Sequence, residues 1–322
     1  MAYIVTGGAG FIGSNMVKYL NNQGLNDIII IDTYNNKKMQ NLHDLTFKDF
    51  IDYKDGIDKC INYISKINRI EAFFHIGANA DVLVYDEKEM MNENFEYSRA
   101  YCNFCMEKGI PFIYASSSAV YGNSKEFKLG VKNEMPHNTY SWSKWLFDRY
   151  VEENFLSDNK YAIYGFRFFN VFGMGEFHKG KNACIANRFV SFIKEKGYID
   201  LFEDTIKRDY VYVEDLVHVL FDTYKQKPVV SGIYNLGGGH QISHRQIAEY
   251  VVKTYYEKGK LHTPLEEAIK TIPMPSDLKN KFQFETMAMD MPSYIRNITI
   301  NNEDKMKKYI SDLIDMDFYY KD

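Results

Sequence analysis

The sequence predicts an α/β fold in which a doubly wound parallel sheet carries a smaller, interleaved α/β lobe. Strand-like and helix-like segments alternate from the first residue, which is typical of a parallel sheet with helices on both faces. A glycine-rich run at residues 7–13 joins the first strand to the first helix. After Gly173 the alternation loosens, yet an apolar strand returns at Gly232–Leu236. We therefore expect the lobe to interrupt the sheet rather than follow it.

The predicted elements follow in order along the chain. In the first half the strands are Tyr3–Thr6, Asp27–Asp32, Glu71–Ile76, Pro111–Ser116 and Tyr161–Phe169, and the helices are Phe11–Gln23, Ile57–Ile67, Glu93–Lys108 and Tyr140–Asn154. In the second half we expect helices at Ala183–Lys196, Val213–Lys225 and Ser243–Tyr256, and strands at Tyr198–Phe202 and Gly232–Leu236. This order predicts a dinucleotide-binding domain of residues 1–172 plus about 207–240, and a substrate lobe of about 173–206 plus 241–322.

The composition is that of an ordinary globular protein, with 322 residues, 45% hydrophobic and 25% charged. A net charge of -4 argues against a nucleic-acid binder, and no apolar run approaches the length of a membrane span. The N-terminus enters a strand pattern without a basic leader, so we expect a cytoplasmic protein. Four cysteines are too few for a disulfide framework, and the Cys102/Cys105 pair lacks a second pair at zinc-like spacing. We therefore expect no metal.

The glycine-rich run predicts a site for a dinucleotide. Gly7, Gly10 and Gly13 stand where a tight turn, close approach to a pyrophosphate and helix–strand packing each favour glycine. A second strand then ends in Asp32, nineteen residues beyond Gly13, where a carboxylate can accept from a ribose hydroxyl. This context is typical of a Rossmann fold that binds a dinucleotide, and its spacing resembles that of the extended short-chain dehydrogenases, which implies a nicotinamide cofactor.

The choice between the two nicotinamide cofactors depends on the residues after Asp32. A free 2′-hydroxyl suits that carboxylate, whereas Lys37 and Lys38 could pair with a 2′-phosphate. We expect NADP, with NAD as the alternative. The Gly-x-x-Gly-x-x-Gly spacing and residues 2–15 resemble the extended short-chain dehydrogenases. That resemblance implies further cofactor contacts from Phe11, Ile12, Thr33, Gly77, Ala78, Asn79 and Val171.

A tyrosine and a lysine supply the predicted proton chemistry. Tyr140 and Lys144 are four residues apart on a helix and therefore face the same way. A lysine ammonium one turn away favours the phenolate form of a tyrosine that would otherwise be a poor base. Ser117 is our choice for the hydroxyl that binds the substrate oxygen, with Ser116 and Ser118 as alternatives. Sugar 4,6-dehydratases carry acids at this serine position, so dehydration is not expected.

The second half resembles the ADP-glyceromanno-heptose 6-epimerase family, through Gly175-Glu176-Phe177-His178-Lys179-Gly180 and Phe202-Glu203. The resemblance implies a homo-oligomeric enzyme that epimerises a nucleotide-diphosphate sugar at carbon 6 through a 6-keto intermediate. It makes Lys179 a second catalytic base, Asn170 a substrate contact and Arg208 a contact of the diphosphate. The other implied substrate contacts are His178, Lys181, Arg188, Phe202, Glu203 and Phe282.

Several pocket residues depart from the family pattern. Met174-Gly175 replaces Pro-Arg, Lys181 replaces a serine, Arg188 replaces a histidine and Phe282 replaces a tyrosine. The alternatives are therefore a nucleotide-sugar 4-epimerase or decarboxylase on the same scaffold, or a protein that binds NAD(P) without catalysis. The intact Ser117, Tyr140 and Lys144 argue against the last.

Overall fold

Seven parallel strands form the largest sheet of the computed structural model, which describes residues 1–80, 86–157, 160–203, 205–276 and 283–316. The strands in chain order are β1 (Ala2–Thr6), β2 (Ile28–Asp32), β3 (Asp49–Asp52), β4 (Ile70–His75), β5 (Phe112–Ser117), β6 (Ile163–Phe168), β7 (Asn170–Phe172), β8 (Ile199–Phe202), β9 (Lys207–Tyr212), β10 (Gly232–Leu236), β11 (Gln241–Ser243) and β12 (Ile269–Ile272). The large sheet has the order β3-β2-β1-β4-β5-β6-β10. This is the doubly wound order, and it confirms the predicted fold class.

Helices connect these strands. They are α1 (Phe11–Asn22), α2 (Asn36–Met39), α3 (Ile57–Ile64), α4 (Glu87–Met91), α5 (Tyr97–Lys108), α6 (Thr139–Phe155), α7 (Ile185–Lys196), α8 (Val213–Gln226), α9 (His244–Glu257), α10 (Ser293–Ile298) and α11 (Asn302–Asp315). Every residue of β1 and β2 is buried, because helices cover both faces of a parallel sheet. None of the helices in the described ranges combines the length and apolarity that a bilayer crossing requires.

The chain divides into two compact units. The first consists of Met1–Phe168, Val213–Leu236 and Met289–Ile298, and it contains the seven-stranded sheet. The second consists of Phe169–Tyr212, Gly237–Ala288 and Thr299–Asp322. It contains the sheet β11-β9-β7 and the pair β12-β8, with α7, α9 and α11 packed around a core of its own. The bounds differ from the predicted division at residues 169–172, 207–212, 237–240 and 289–298, and the functional division into domains stays a prediction.

Several elements differ from the sequence-based expectation, and β9, β11, β12 and α10 are among those that the sequence did not predict. The edge strand β3 was not predicted, because its four residues include two aspartates and edge strands tolerate such charges. The helix α11 was not predicted either, although Met306, Ile310 and Leu313 lie at helical spacing and are buried. The predicted helix at Glu93–Lys108 begins earlier, as α4, and passes through a π-helical turn at Asn92–Glu96 before α5.

Candidate active site

The glycine-rich loop connects β1 to α1 and has the shape of a phosphate cradle. Gly7 takes φ +67°, and its carbonyl accepts from the Gly10 amide at 2.9 Å. The N-cap residue of α1 is Gly10, no side chain caps this helix end, and its first turn contains no acidic residue. The positive end of the helix dipole is therefore available to an anion, and the loop fits the pyrophosphate of a dinucleotide.

Asp32 is fixed at the end of β2 beside the glycine loop. Its buried carboxylate accepts the Ala9 amide at 2.9 Å and the Thr33 amide at 2.8 Å. The Lys38 ammonium donates to the same carboxylate at 3.4 Å. The structure thus brings together the predicted Asp32, Thr33 and Lys38, and a lysine stands next to the carboxylate expected to meet the ribose.

The segment that follows β4 contacts the end of β1 and the glycine loop. The Gly77 amide donates to the Thr6 hydroxyl at 3.0 Å, and a Cβ on Gly7 would lie 2.7 Å from the Gly77 Cα. Asn79 donates its amide at 2.8 Å to Asn94 in the π-helical turn and accepts back from the Asn94 side chain at 2.9 Å. Gly77 therefore borders the loop, and Ala78 and Asn79 follow it directly in the chain. Asn94 was missed, because nothing in its local spacing marks it.

Ser117 and Tyr140 come together at the end of β5 and the first turn of α6. That helix begins with a capping box formed by Asn138 and Ser141, which fixes where Tyr140 projects. Burial raises the pKa of Tyr140 above its ordinary value, and a hydrogen bond with the Ser117 side chain lowers it. The Ser116 hydroxyl donates instead to Asp148 at 2.9 Å. These contacts support Ser117 over Ser116 as the hydroxyl that acts with Tyr140.

Lys144 lies one turn further along α6 and is buried. Its ammonium donates to the Ala115 carbonyl of β5 at 2.9 Å. Burial lowers its pKa to about 8, and the nearby Asp148 carboxylate opposes that shift. A lysine with this pKa remains mostly charged at neutral pH.

Two buried charges near this pair were missed by the sequence-based reasoning. Asp148 lies one turn beyond Lys144 on α6, and Arg167 lies on β6. The Arg167 Nε donates to Asp148 at 2.9 Å, and its Nη1 pairs with Glu134 at 2.8 Å. Asp148 could have been noticed as a third polar residue at four-residue spacing after Tyr140 and Lys144, whereas Arg167 and Glu134 carry no local signal.

The predicted second base, Lys179, lies in a short 3-10 turn of the second unit, together with His178 and Lys181. The Lys179 ammonium is 3.7 Å from the buried Glu176 carboxylate. Glu176 also accepts the Cys184 amide at 2.6 Å and the Tyr309 hydroxyl at 3.1 Å. Burial raises the pKa of Glu176, and Lys179 lowers it. The second unit thus provides a fixed carboxylate next to the predicted base.

A cationic cluster also forms within the second unit. Burial lowers the pKa of Arg208 to about 10. Burial together with the charges of Arg208 and Arg188 lowers the pKa of His244 to about 3. The structure therefore brings the predicted Arg188 and Arg208 together around His244, which was not predicted. Such a cluster can bind an anion.

The remaining predicted contacts are distributed over the second unit. Asn170 and Val171 lie on β7, where the Asn170 side-chain oxygen accepts from the Thr286 hydroxyl at 3.5 Å. Phe202 ends β8, and the Glu203 amide continues the pairing of β8 with β12. Phe282 lies outside the described residues.

The described residues contain no cluster that could serve as a metal site. Within the described ranges no three His, Cys, Asp or Glu side chains come together in a way that could hold a metal ion. Cys102 and Cys105 are both buried, and burial raises the pKa of both thiols. Inert packing follows from this environment, because the reactive form of cysteine is the thiolate.

Comparison with known proteins decides the family. The model of the NAD dependent epimerase/dehydratase family matches residues 3–237. The chain belongs to this family. It is also 39% identical over 292 residues to the ADP-L-glycero-D-manno-heptose-6-epimerase of Brachyspira hyodysenteriae, with 88% of each chain covered. The predicted resemblance and enzyme class are confirmed: the chain is a nicotinamide-dependent enzyme of the epimerase kind.

Solved structures of the family agree with this assignment. The crystal structure of the Helicobacter pylori ADP-L-glycero-D-manno-heptose-6-epimerase matches with a TM-score of 0.79 and 27% identity, covering 97% of this chain and 96% of that one. A UDP-N-acetylglucosamine 4-epimerase from Methanobrevibacter ruminantium matches with a TM-score of 0.78 and 23% identity, covering 98% and 97%. The second likeness is one of fold.

Proposed function

We propose that this family member inverts carbon 6 of ADP-D-glycero-D-manno-heptose through a 6-keto intermediate, using two bases. The observation that carries the proposal is the 39% identity to a heptose epimerase across 88% of both chains. The arrangement of Ser117, Tyr140 and Lys144 supports it, because this trio suits oxidation and reduction of a secondary alcohol.

The residues around the glycine loop would hold the cofactor. Gly7, Gly10 and Gly13 would meet the pyrophosphate, and Asp32 with Lys38 would meet the adenosine ribose. When bound, the nicotinamide supplies hydride removal and return at the sugar carbon.

We favour NADP over NAD, because the Lys38 ammonium stands 3.4 Å from Asp32 and could compensate the charge of a 2′-phosphate there. Comparing the Kd of both dinucleotides for the wild type and Lys38→Ala tests this choice. A tighter Kd for NAD, unchanged by the substitution, would contradict it.

Tyr140 and Ser117 would carry the proton at one orientation of the sugar. The Tyr140 phenolate takes the proton from the carbon 6 hydroxyl as that carbon is oxidised, while Ser117 donates a hydrogen bond to the same oxygen. The Lys144 ammonium, one helical turn away, would favour the phenolate and so oppose the rise of the Tyr140 pKa that burial causes.

Inversion requires a proton donor at the opposite orientation of the sugar, and we assign this role to Lys179. After the keto sugar is repositioned, Lys179 Nζ gives a proton to the carbon 6 oxygen as the carbon is reduced on its other face. Support comes from its place in the His178-Lys179-Gly180 sequence and from the fixed carboxylate of Glu176 at 3.7 Å. Arg208 and Arg188 would bind the diphosphate as a cationic pair.

The decisive experiment follows carbon 6 inversion by NMR, using purified protein and ADP-D-glycero-D-manno-heptose without added cofactor. We expect turnover by the wild type, loss of at least about a hundredfold in Lys179→Ala and in Tyr140→Phe, and near-normal turnover in the control Lys253→Ala. Lys253 is an exposed lysine of α9 in the second unit and has the same charge, and it is not among the predicted site residues.

Two outcomes would overturn the proposal in different ways. Full activity of Lys179→Ala would refute the two-base mechanism but would leave the assignment of the heptose as substrate unchanged. No inversion of the heptose, together with turnover of UDP-hexoses at carbon 4, would establish the alternative 4-epimerase. The predicted homo-oligomer is tested separately by light scattering on the same preparation.

A further inference from the structure

One stripe of α6 touches β5 at three successive helical turns. Tyr140, Lys144 and Asp148 are spaced by four residues and therefore lie on one face of the helix. Tyr140 is hydrogen-bonded with Ser117, and the Lys144 ammonium donates to the Ala115 carbonyl at 2.9 Å. Each turn of the stripe is thus in contact with the last residues of one strand.

Asp148 makes the third contact, and it is the most heavily bonded of the three. Its carboxylate accepts the Tyr114 hydroxyl at 3.0 Å and the Ser116 hydroxyl at 2.9 Å. Tyr114 and Ser116 flank Ala115, the residue that binds Lys144. Asp148 is fully buried, so these bonds are shielded from water.

Arg167 completes the arrangement from the neighbouring strand. It pairs with Ser116 in the parallel register of β5 and β6, and its Nε donates to Asp148 at 2.9 Å. On its other side Arg167 forms an ion pair with Glu134 at 2.8 Å. With Lys144, the fully buried side chains of this group are two cations and two carboxylates, and the partly exposed Arg149 approaches Glu134 at 3.9 Å. His75 also feels the Lys144 charge, and burial keeps it neutral.

We propose that Asp148 is a positioning residue for catalysis, which fixes α6 in register on β5 and keeps the Lys144 ammonium charged beneath the Ser117–Tyr140 pair. Glu134 provides the contrast. It is an equally buried partner of Arg167, but its other oxygen accepts the Trp145 indole at 2.8 Å and it bonds to no residue of β5. Loss of Glu134 therefore perturbs the same ion network without releasing the register.

The test compares Asp148→Asn with Glu134→Gln. The first readout is the ionisation of Lys144, followed by NMR of lysine labelled with carbon-13 at Cε, with the Lys144→Met counterpart of each protein to assign the signal. In Asp148→Asn the ammonium loses the carboxylate that opposes the effect of burial, so we expect the Lys144 midpoint to fall by about one pH unit. Glu134→Gln is expected to leave that midpoint unchanged, although both variants melt below the wild type.

The second readout is turnover, and it rests on the proposed function. We expect kcat of Asp148→Asn to fall about tenfold at neutral pH with KM little changed, because a smaller fraction of Lys144 is charged there. The titration needs no substrate. If the wild type does not turn over the heptose, the proposed function is refuted, and the titration alone still tests this inference.

Two results would overturn the inference. One is an unchanged Lys144 midpoint in Asp148→Asn, and the other is an equal shift in Glu134→Gln. If Asp148→Asn does not fold, Ser116→Ala replaces it, because that variant removes one hydroxyl donor to Asp148 and keeps every charge. A smaller fall of the Lys144 midpoint is expected there, and no fall would again overturn the inference.

Discussion

Two glycines of the cofactor loop should fail for different reasons when each becomes alanine. A Cβ on Gly13 would lie 2.0 Å from the Gly7 carbonyl oxygen and 2.6 Å from its carbon, so backbone must move by about 1 Å. A Cβ on Gly10 would meet one atom, the Gly7 oxygen at 3.2 Å, and no other heavy atom outside its neighbours within 4 Å. Gly10 has φ -74°, which alanine adopts without strain.

The magnitudes follow from these distances. Overpacking of this kind costs about 1–3 kcal/mol, and the reduced freedom of the unfolded chain returns at most about 1 kcal/mol. We therefore expect Gly13→Ala to lower the Tm of the cofactor-free protein by several degrees, while Gly10→Ala stays close to the wild type. The Gly10 methyl would instead stand where the pyrophosphate is proposed to approach, and it should weaken dinucleotide binding tenfold or more.

Thermal melting of the cofactor-free proteins and calorimetric titration with NAD and NADP measure both effects. A wild-type Tm for Gly13→Ala would refute the packing argument. A wild-type Kd for Gly10→Ala would show that no phosphate approaches this part of the loop. Gly24→Ala controls for backbone strain alone, because Gly24 has φ +75° and a Cβ there would meet no atom within 4 Å.

Three further perturbations test the buried polar groups. Arg167→Met removes the buried cation that Asp148 and Glu134 share, so the free energy of unfolding should fall by about 3–5 kcal/mol in denaturant titrations. Burial lowers the pKa of His75 to about 3. The unfolded chain therefore takes up a proton that the folded one does not, and stability should fall below pH 6.5 by about 1.4 kcal/mol per pH unit more in the wild type than in His75→Gln. Glu176→Gln should lower kcat several-fold in the heptose assay by releasing Lys179, and an unchanged kcat would exclude that positioning role.

The sequence was sufficient where the chemistry depends on local spacing. The glycine loop needs residues at fixed offsets between one strand and one helix, and the Tyr140/Lys144 pair needs two residues one helical turn apart. Both features are therefore visible in a single stretch of chain. The apolar run of β2, ending in Asp32, could be predicted for the same reason, since every residue of a central parallel strand is buried.

Features that depend on distant residues could not be predicted. Asp148 and Arg167 form an ion pair because α6 and β6 both pack on β5. The local sequence of either segment does not indicate this partner. The sequence favoured Ser117 and left Ser116 and Ser118 as alternatives, and the contact of Ser116 with Asp148 argues against Ser116. Short edge elements such as β3 have too few residues for a periodic pattern to emerge.

The departure from the family pattern at Arg188 adds a permanent positive charge where the family has a histidine. The histidine expected there would be mostly neutral at pH 7, whereas an arginine is always charged. Arg188 and Arg208 both act on His244, whose pKa is lowered to about 3, so His244 stays neutral and the two guanidiniums supply the positive charge. A site with two permanent cations suits a diphosphate at least as well as the pattern it replaces. The substitution is therefore consistent with the proposed nucleotide-diphosphate substrate. The other altered positions, Met174, Lys181 and Phe282, are the ones that would determine which sugar is bound.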